Sequence, residues 1–166
     1  MSLETAEAQD AVRKSIATEK HAMDFYRYGA TQLKDPAARK LFEILAQEER
    51  AHAGSFYRIY TGADIPSLEE YLDAPPAHEL EWLEGLSRQV KPDFNEKMAL
   101  ELAMQKEKSL EEALRNLVRL LNDPAIKEVY EVNAKETHNH YLQIEAEYSR
   151  IMGMVDESDM DTYVRE

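Results

Sequence analysis

Five ionisable residues occupy positions where the sequence otherwise predicts buried apolar side chains. They are Glu19, Glu49, His52, Glu107 and His140. Glutamate is almost never fully buried without a partner, and carboxylates enclosed together must take up protons or bind cations. Carboxylates combined with two imidazoles suit a pair of divalent transition metals, and iron or manganese fits this ligand set better than zinc or calcium. The pattern therefore predicts a metal centre.

The motif Glu-x-x-His at Glu49 and His52 places both side chains on one face of a helix, because residues three apart are neighbours there. By itself the motif is weak evidence, since composition alone gives about one such match by chance. Its position on an inward stripe strengthens it, as does the glutamate at matched spacing in each half of the chain. A polar core that satisfies itself without metal is the simplest alternative.

Four helical patterns, each with one buried stripe, are predicted to position these residues. They run from about Thr5 to Leu33, from Asp35-Pro36 to a stop at Gly62, from Asp93 with Glu96 as a capping box, and from Asp123-Pro124 to a stop near Gly153. Very short connections join the first helix to the second and the third to the fourth. Each pair is therefore expected to form an antiparallel hairpin.

The long segment between the hairpins is predicted to be a crossover over residues 61–92, which contains Pro66, Pro75 and Pro76. Ser67 and Glu70 have the spacing of a capping box, which predicts a short helical piece. A segment of this length can return the chain parallel to the second helix. The prediction is an all-α four-helix bundle over residues 1–153, followed by a loosely ordered acidic tail at 154–166.

The two hairpins align with each other without a gap when the sequence is shifted by 88 residues. Glu19 then falls on Glu107 and His52 on His140, and twelve of the 42 positions from 19 to 60 are identical. Composition alone would give about three or four identities, so we interpret the bundle as a duplicated hairpin.

The same duplication predicts that the ionisable residues meet at one level. Glu19 precedes its turn by about 24 Å of helix, while Glu49 and His52 follow that turn by about 21 to 26 Å. Glu107 and His140 lie at the matching height in the second hairpin.

Composition excludes several other classes of function. The 166 residues contain 20 Lys and Arg against 33 Asp and Glu, a formal charge of −13, so no broad nucleic-acid or anionic-membrane surface is expected. The absence of cysteine excludes disulfides, Cys-ligated zinc and iron–sulfur clusters. With no long apolar run and no apolar N-terminal segment, we expect a cytoplasmic protein.

The chain resembles the rubrerythrin branch of the ferritin-like superfamily. The matching segments are ATEKHAMDFY, DPAARKLFEILAQEERAH, MQKEKSLEEAL and DPAIKEVYEVNAKETHNH, and the resemblance covers about residues 5–152. It implies a ferritin-like bundle with a non-haem centre of two iron ions, for which zinc or manganese could substitute. By motif position, the ligands would be Glu19, Glu49, His52, Glu107 and His140.

The resemblance also implies a reaction. Proteins of this family activate hydrogen peroxide or dioxygen, commonly to reduce peroxide, and relatives oxidise and store iron. This chain lacks the four cysteines of a rubredoxin-like domain, so an external electron donor protein is expected. A homodimer is the expected assembly.

One expected ligand is missing, because Thr137 stands where the second Glu-x-x-His would have its glutamate. Glu136 could replace it as a tentative ligand. Alternatively, Glu48 and Glu136 could hold the histidines from outside or deliver protons. Tyr26 and Tyr130 could lie beside the metals, although ordinary core packing suits both. The rival functions are a non-catalytic bundle with one zinc or iron and a degenerate second site, and an iron-storage subunit.

Overall fold

The computed structural model describes the backbone of residues 3–75 and 95–164, and the side chains of these residues up to 153. This part of the chain contains five helices: α1 (Thr5–Gln32), α2 (Pro36–Arg58), α3 (Leu68–Asp73), α4 (Glu96–Leu120) and α5 (Pro124–Val164). The predicted all-α class is confirmed. Among the described helices, none combines the length and the apolarity needed to cross a membrane.

The helix starts follow from local capping chemistry. Asp35 accepts a hydrogen bond from the Ala38 backbone N–H at 2.9 Å and is followed by proline, whose fixed φ suits a first helical turn. Asp123 accepts from the Ala125 N–H at 2.9 Å in the equivalent position of the second hairpin. Both predicted Asp-Pro starts are confirmed, and the two turns therefore resemble each other as the duplication predicts.

The two hairpins, α1–α2 and α4–α5, are held together at their ends. The backbone N–H of Leu3 donates to the Leu120 carbonyl at 2.9 Å. At the opposite end, the N–H groups of Lys34 and Asp35 donate to Glu96 Oε1 at 2.7 and 2.9 Å. Helices α1 and α4 are therefore antiparallel, which makes α2 parallel to α4. Helices α2 and α5 also contact each other directly.

The first part of the crossover packs on α1 through a buried lysine. Lys20 Nζ forms an ion pair with Asp24 at 3.0 Å and donates to the carbonyl oxygens of Leu72 and Ala74 at 3.2 and 2.6 Å. Ser67 accepts from the Glu70 N–H at 3.2 Å, so the predicted short helix is present as α3. The remainder of the predicted crossover, 76–92, lies outside the described residues.

The apolar core is divided into two clusters. One lies toward the α1–α2 turn, where the Tyr26 ring meets the Phe42 ring edge-on at 5.1 Å. The other lies toward the α4–α5 turn, where Phe56 and Tyr130 have ring centroids 4.8 Å apart. The predicted metal-ligand residues occupy the level between these clusters.

Three predicted helix ends differ from the structure. The N-cap of α4 is Asn95, which accepts from the Met98 N–H at 2.9 Å, whereas Asp93 lies outside the described residues. Glu96 does not complete a capping box there, because its carboxylate binds the α1–α2 turn. Helix α2 ends at Arg58, before Gly62.

The end of α5 is the largest difference. The predicted stop near Gly153 is wrong, because α5 continues to Val164. Gly153 has no positive φ, so it takes ordinary helical geometry, and an interior glycine costs a helix only about 1 kcal/mol.

Gly29 should be intolerant of a side chain. A Cβ atom there would lie 2.6 Å from two atoms of the fully buried Phe42 ring. We expect Gly29→Ala to reduce the free energy of unfolding by about 1–2 kcal/mol, because overpacking outweighs the gain in helix propensity.

Gly54→Ala is the matched control, since its Cβ would meet only an Arg58 atom at an ordinary 3.8 Å. It should stabilise the protein by up to about 1 kcal/mol. Denaturant unfolding of both variants checks the pair, and a stabilising Gly29→Ala would contradict the close packing.

Candidate metal centre

Four helices bring five ionisable side chains to one buried level of the bundle. Glu49 is 0% exposed, Glu19 1%, Glu107 2%, His140 3% and His52 4%. Each takes its place because it continues the apolar stripe of its helix, so the helix that buries the stripe buries the charge as well. The five residues that the sequence singled out are therefore together in space.

Glu49 is the centre of the cluster. Its Oε1 lies 2.9 Å from His140 Nδ1 and its Oε2 lies 3.5 Å from His52 Nδ1. Glu19 Oε2 is 3.6 Å from His52 Nδ1, and Glu107 Oε1 is 3.7 Å from His140 Nδ1. The arrangement thus has two halves, each with one histidine and one glutamate of its own, and Glu49 is shared between them.

The two imidazole rings lie face to face, with centroids 5.2 Å apart and an interplanar angle of 12°. Each ring also contacts a carboxylate from the other hairpin through its outer nitrogen. His52 Nε2 lies 2.6 Å from Glu136 Oε2, and His140 Nε2 lies 2.6 Å from Glu48 Oε2. A carboxylate oxygen this close favours a proton on Nε2, from which it accepts a hydrogen bond. The inner Nδ1 of a neutral ring is then free to bind a cation.

The inner atoms of the cluster lie close together, but none is in hydrogen-bond geometry with a neighbour, the 2.9 Å pair of Glu49 Oε1 and His140 Nδ1 included. Nine buried side-chain polar atoms in the described residues make no hydrogen bond, and all nine lie in the cluster or on the adjacent turns of α5. They are both oxygens of Glu19 and of Glu49, Glu107 Oε2, Nδ1 of His52 and of His140, Asn133 Oδ1 and Thr137 Oγ1. Unpaired buried carboxylates are costly, so this donor set fits divalent cations.

Burial and mutual contacts shift the pKa values of the three glutamates. Burial, and then the charge of Glu49, raises the pKa of Glu19 well above its usual range. Burial also raises the pKa of Glu107. For Glu49, burial acts in the same direction but contacts with Glu19, His140 and His52 outweigh it, and the pKa is lowered.

The histidines respond to the same carboxylates. Burial lowers the pKa of His52, but Glu19 and Glu49 outweigh burial and raise this pKa to about 11. Burial opposes Glu107 and Glu49 at His140 in the same way, and its pKa rises to about 10. Without a cation the cluster therefore retains protons, which a binding metal must displace.

Only one of the two tyrosines considered in the sequence touches the cluster. Tyr26 donates a short hydrogen bond to Glu107 Oε1, and burial followed by the charge of Glu107 raises the pKa of Tyr26 well above its usual range. The Tyr130 hydroxyl instead lies 2.6 Å from Ser15 Oγ, and burial raises its pKa to about 12. The pairing with Ser15 had no signal in the sequence.

Glu136 lies outside the inner cluster. Its side chain is 50% exposed and that of Glu48 is 43% exposed, so both approach the histidines from the surface. These positions correspond to the alternative in which Glu48 and Glu136 hold the histidines from outside. That Glu136 is a metal ligand stays a prediction. Thr137, by contrast, is fully buried at the place where the duplication puts a second glutamate.

Three openings are lined by residues of the cluster, and one of them, of about 590 Å³ between α1 and α4, includes Tyr26 and Glu107. A depression of about 340 Å³ between α2 and α5 is lined by Glu48, Ala51, His52, Glu136, Asn139, His140 and Gln143. A larger and more apolar groove of about 630 Å³ between α1 and α4 includes Ser15, Glu19 and Leu114. Small polar molecules therefore have a direct route to both histidines.

Comparison with known proteins agrees with this geometry. Neither the search of curated proteins nor that of solved structures gives a match. The family model for rubrerythrin matches residues 10–148, a range that includes α2 and α4 entirely, most of α1, part of α5 and every residue of the cluster. The chain therefore belongs to the rubrerythrin family.

Proposed function

We propose that this protein is a non-haem di-iron oxidoreductase that reduces peroxide or oxidises ferrous iron. The observation that carries the proposal is the set of buried carboxylate and imidazole atoms that face one another without hydrogen bonds. Family membership supports iron as the metal. Carboxylate and imidazole ligands are also compatible with manganese or zinc.

The two halves of the cluster define the ligands. Glu19 and His52 would hold one metal ion, Glu107 and His140 the other, and Glu49 would serve both. When bound, iron supplies the electron-transfer chemistry that peroxide or dioxygen requires.

The protein's own groups orient the ligands and control access. Tyr26 holds one oxygen of Glu107, which leaves the other oxygen free. Glu48 and Glu136 fix the ring orientation of the histidines and lie at the depression between α2 and α5, where they can exchange protons with water. Reduction of one hydrogen peroxide to two waters consumes two electrons and two protons. The chain has no cysteine to ligate a rubredoxin-type iron, so the electrons would come from an external donor protein or from ferrous iron.

A single-metal bundle is the second candidate, and a specific observation supports it. One donor atom each from Glu49, His52 and His140 lie within 4.8 Å of one another, which is compatible with one zinc or one iron ion. Thr137 removes a carboxylate from the second position. Metal content separates this candidate from the first.

Anaerobic loading with ferrous iron should give two iron ions per chain, and stoichiometric hydrogen peroxide should then oxidise them. Glu49→Ala should lose both properties, because it removes the shared ligand. Glu43→Ala is the control, since Glu43 is exposed on the same helix. Elemental analysis and the absorbance of ferric iron give the result. Wild-type protein with one metal, or with no oxidation, would exclude the di-iron proposal.

Removing either outer carboxylate should weaken metal binding. We expect Glu48→Ala and Glu136→Ala each to lower affinity about 10–100-fold, because the histidine loses its orientation. Glu48→Gln and Glu136→Gln retain an acceptor oxygen and should recover part of the loss. Titration with Mn²⁺ measures these affinities, and alanine variants with wild-type affinity would contradict the assigned role.

Glu19→Gln separates a metal site from a structural polar core. The substitution keeps the shape but replaces a carboxyl group, whose charged form burial disfavours, with a neutral amide. We expect the metal-free variant to be about 1–3 kcal/mol more stable than metal-free wild type and to bind metal less tightly. Denaturant unfolding in a chelator measures this, with Glu43→Gln as the exposed control. A less stable variant would show that Glu19 supports the fold itself.

A further inference from the structure

Every glutamate and histidine of the cluster has an identical residue at the equivalent position of the other hairpin, with one exception. Glu19 and Glu107, His52 and His140, and Glu48 and Glu136 occur as equivalent pairs, and the last two pairs make matching 2.6 Å contacts across the hairpins. Glu49 alone has no equivalent, because its counterpart is Thr137. The side of the centre at Thr137 therefore lacks the carboxylate that Glu49 supplies on the other side.

Two polar side chains near this position, Thr137 and Asn133, are buried, and each has an oxygen atom that makes no hydrogen bond. Thr137 is 0% exposed and its hydroxyl has no hydrogen-bond partner among the described residues. One turn earlier on α5, the Asn133 amide nitrogen donates to Ser55 Oγ at 3.0 Å and to the Val129 carbonyl at 2.7 Å. These bonds fix the amide so that its buried oxygen is the atom left without a partner. Apolar residues would avoid this cost.

Charge counting points to the missing component. The buried carboxylates of Glu19, Glu49 and Glu107 supply three negative charges, whereas two divalent cations supply four positive ones. Glu48 and Glu136 are left out of this count because both side chains are about half exposed, so water screens their charges. A buried, uncompensated charge is strongly unfavourable. One additional monoanion would neutralise the centre, and a carboxylate matches the group that the duplication places there. The Thr137 hydroxyl can donate a hydrogen bond to it.

We propose that the centre binds a small monocarboxylate from solution beside Thr137, in the place of the absent glutamate side chain. This inference rests on the proposed two-metal centre. The groove between α1 and α4 is lined by Glu19, and the depression between α2 and α5 is lined by Glu136 and His140, the neighbours of Thr137 on α5. A small anion can therefore approach the level of the centre from solution. The bound monocarboxylate would supply the second carboxylate group, because the chain itself supplies only one, that of Glu49.

The test is metal binding with acetate as the probe. Mn²⁺ is titrated into wild-type protein, Thr137→Glu and Thr137→Val at constant ionic strength, with perchlorate replacing acetate in the control. In the wild type, acetate should tighten binding of the second Mn²⁺ about tenfold. Thr137→Glu should bind two Mn²⁺ ions without acetate, because it restores the carboxylate. Thr137→Val keeps the shape and loses the hydroxyl, so the acetate effect should fall.

Binding of the probe can also be observed in the wild type alone, so the test does not depend on the variants folding. Bound Mn²⁺ should accelerate relaxation of the acetate methyl protons at one site per chain, and Zn²⁺ should not. Tight binding of two Mn²⁺ ions in the wild type with no effect of acetate would overturn this inference and leave the proposed centre intact. The same acetate effect in Thr137→Glu would also overturn it. Failure of all three proteins to bind Mn²⁺ would overturn the proposed centre as well.

Discussion

The burial of three glutamates in an apolar bundle is the constraint on which the rest of this structure depends. Glu19, Glu49 and Glu107 are within 2% of complete burial, and the inner oxygens of the first two have no hydrogen-bond donor. No gain from packing compensates for carboxylates in this state. Protons or bound cations must compensate for them, and the polar level that they form lies between the two clusters of the apolar core.

Hydrogen bonds at both ends of the bundle keep the buried glutamates and histidines at one height. Hydrogen bonds from the α1–α2 turn to Glu96, and from Leu3 to Leu120, fix the height of α1 relative to α4. A shift of one helical turn would move Glu107 about 5 Å from the other residues of the cluster. The outer contacts of Glu48 and Glu136 cross between hairpins, so they align α2 with α5 and orient the histidines at the same time. Stability and ligand geometry are therefore coupled.

Much of this could be predicted because helix periodicity and capping are local. The four stripes, both Asp-Pro turns and the common height of the cluster residues follow from spacing along single helices. The choice of Asn95 over Asp93 could not be predicted, because it involves Glu96 bonding to a turn 61 residues away in the sequence. The hydrogen bond from Tyr26 to Glu107 could not be predicted either, because it depends on how neighbouring helices approach. The same holds for the contact of each histidine with a carboxylate from the other hairpin. Gly153 was misleading because glycine permits a helix end without requiring one.

The duplication gives the centre its symmetry, and Thr137 breaks it. A fused repeat is free to change one copy of a residue while the other copy is kept, and here Glu49 is the copy that remains. The neighbouring change from Leu45 to Asn133 at equivalent positions makes the same wall polar. The two substitutions therefore alter one side of the centre together, while the ligands on the other side keep their apolar surroundings.

Anomalous X-ray scattering tests the central claim most directly. Crystals of anaerobically iron-loaded protein would be measured on both sides of the iron absorption edge. The account predicts two anomalous peaks at the level of Glu49, one beside His52 and one beside His140. Iron-loaded crystals with no anomalous peak there, and with only water between the carboxylates, would contradict it.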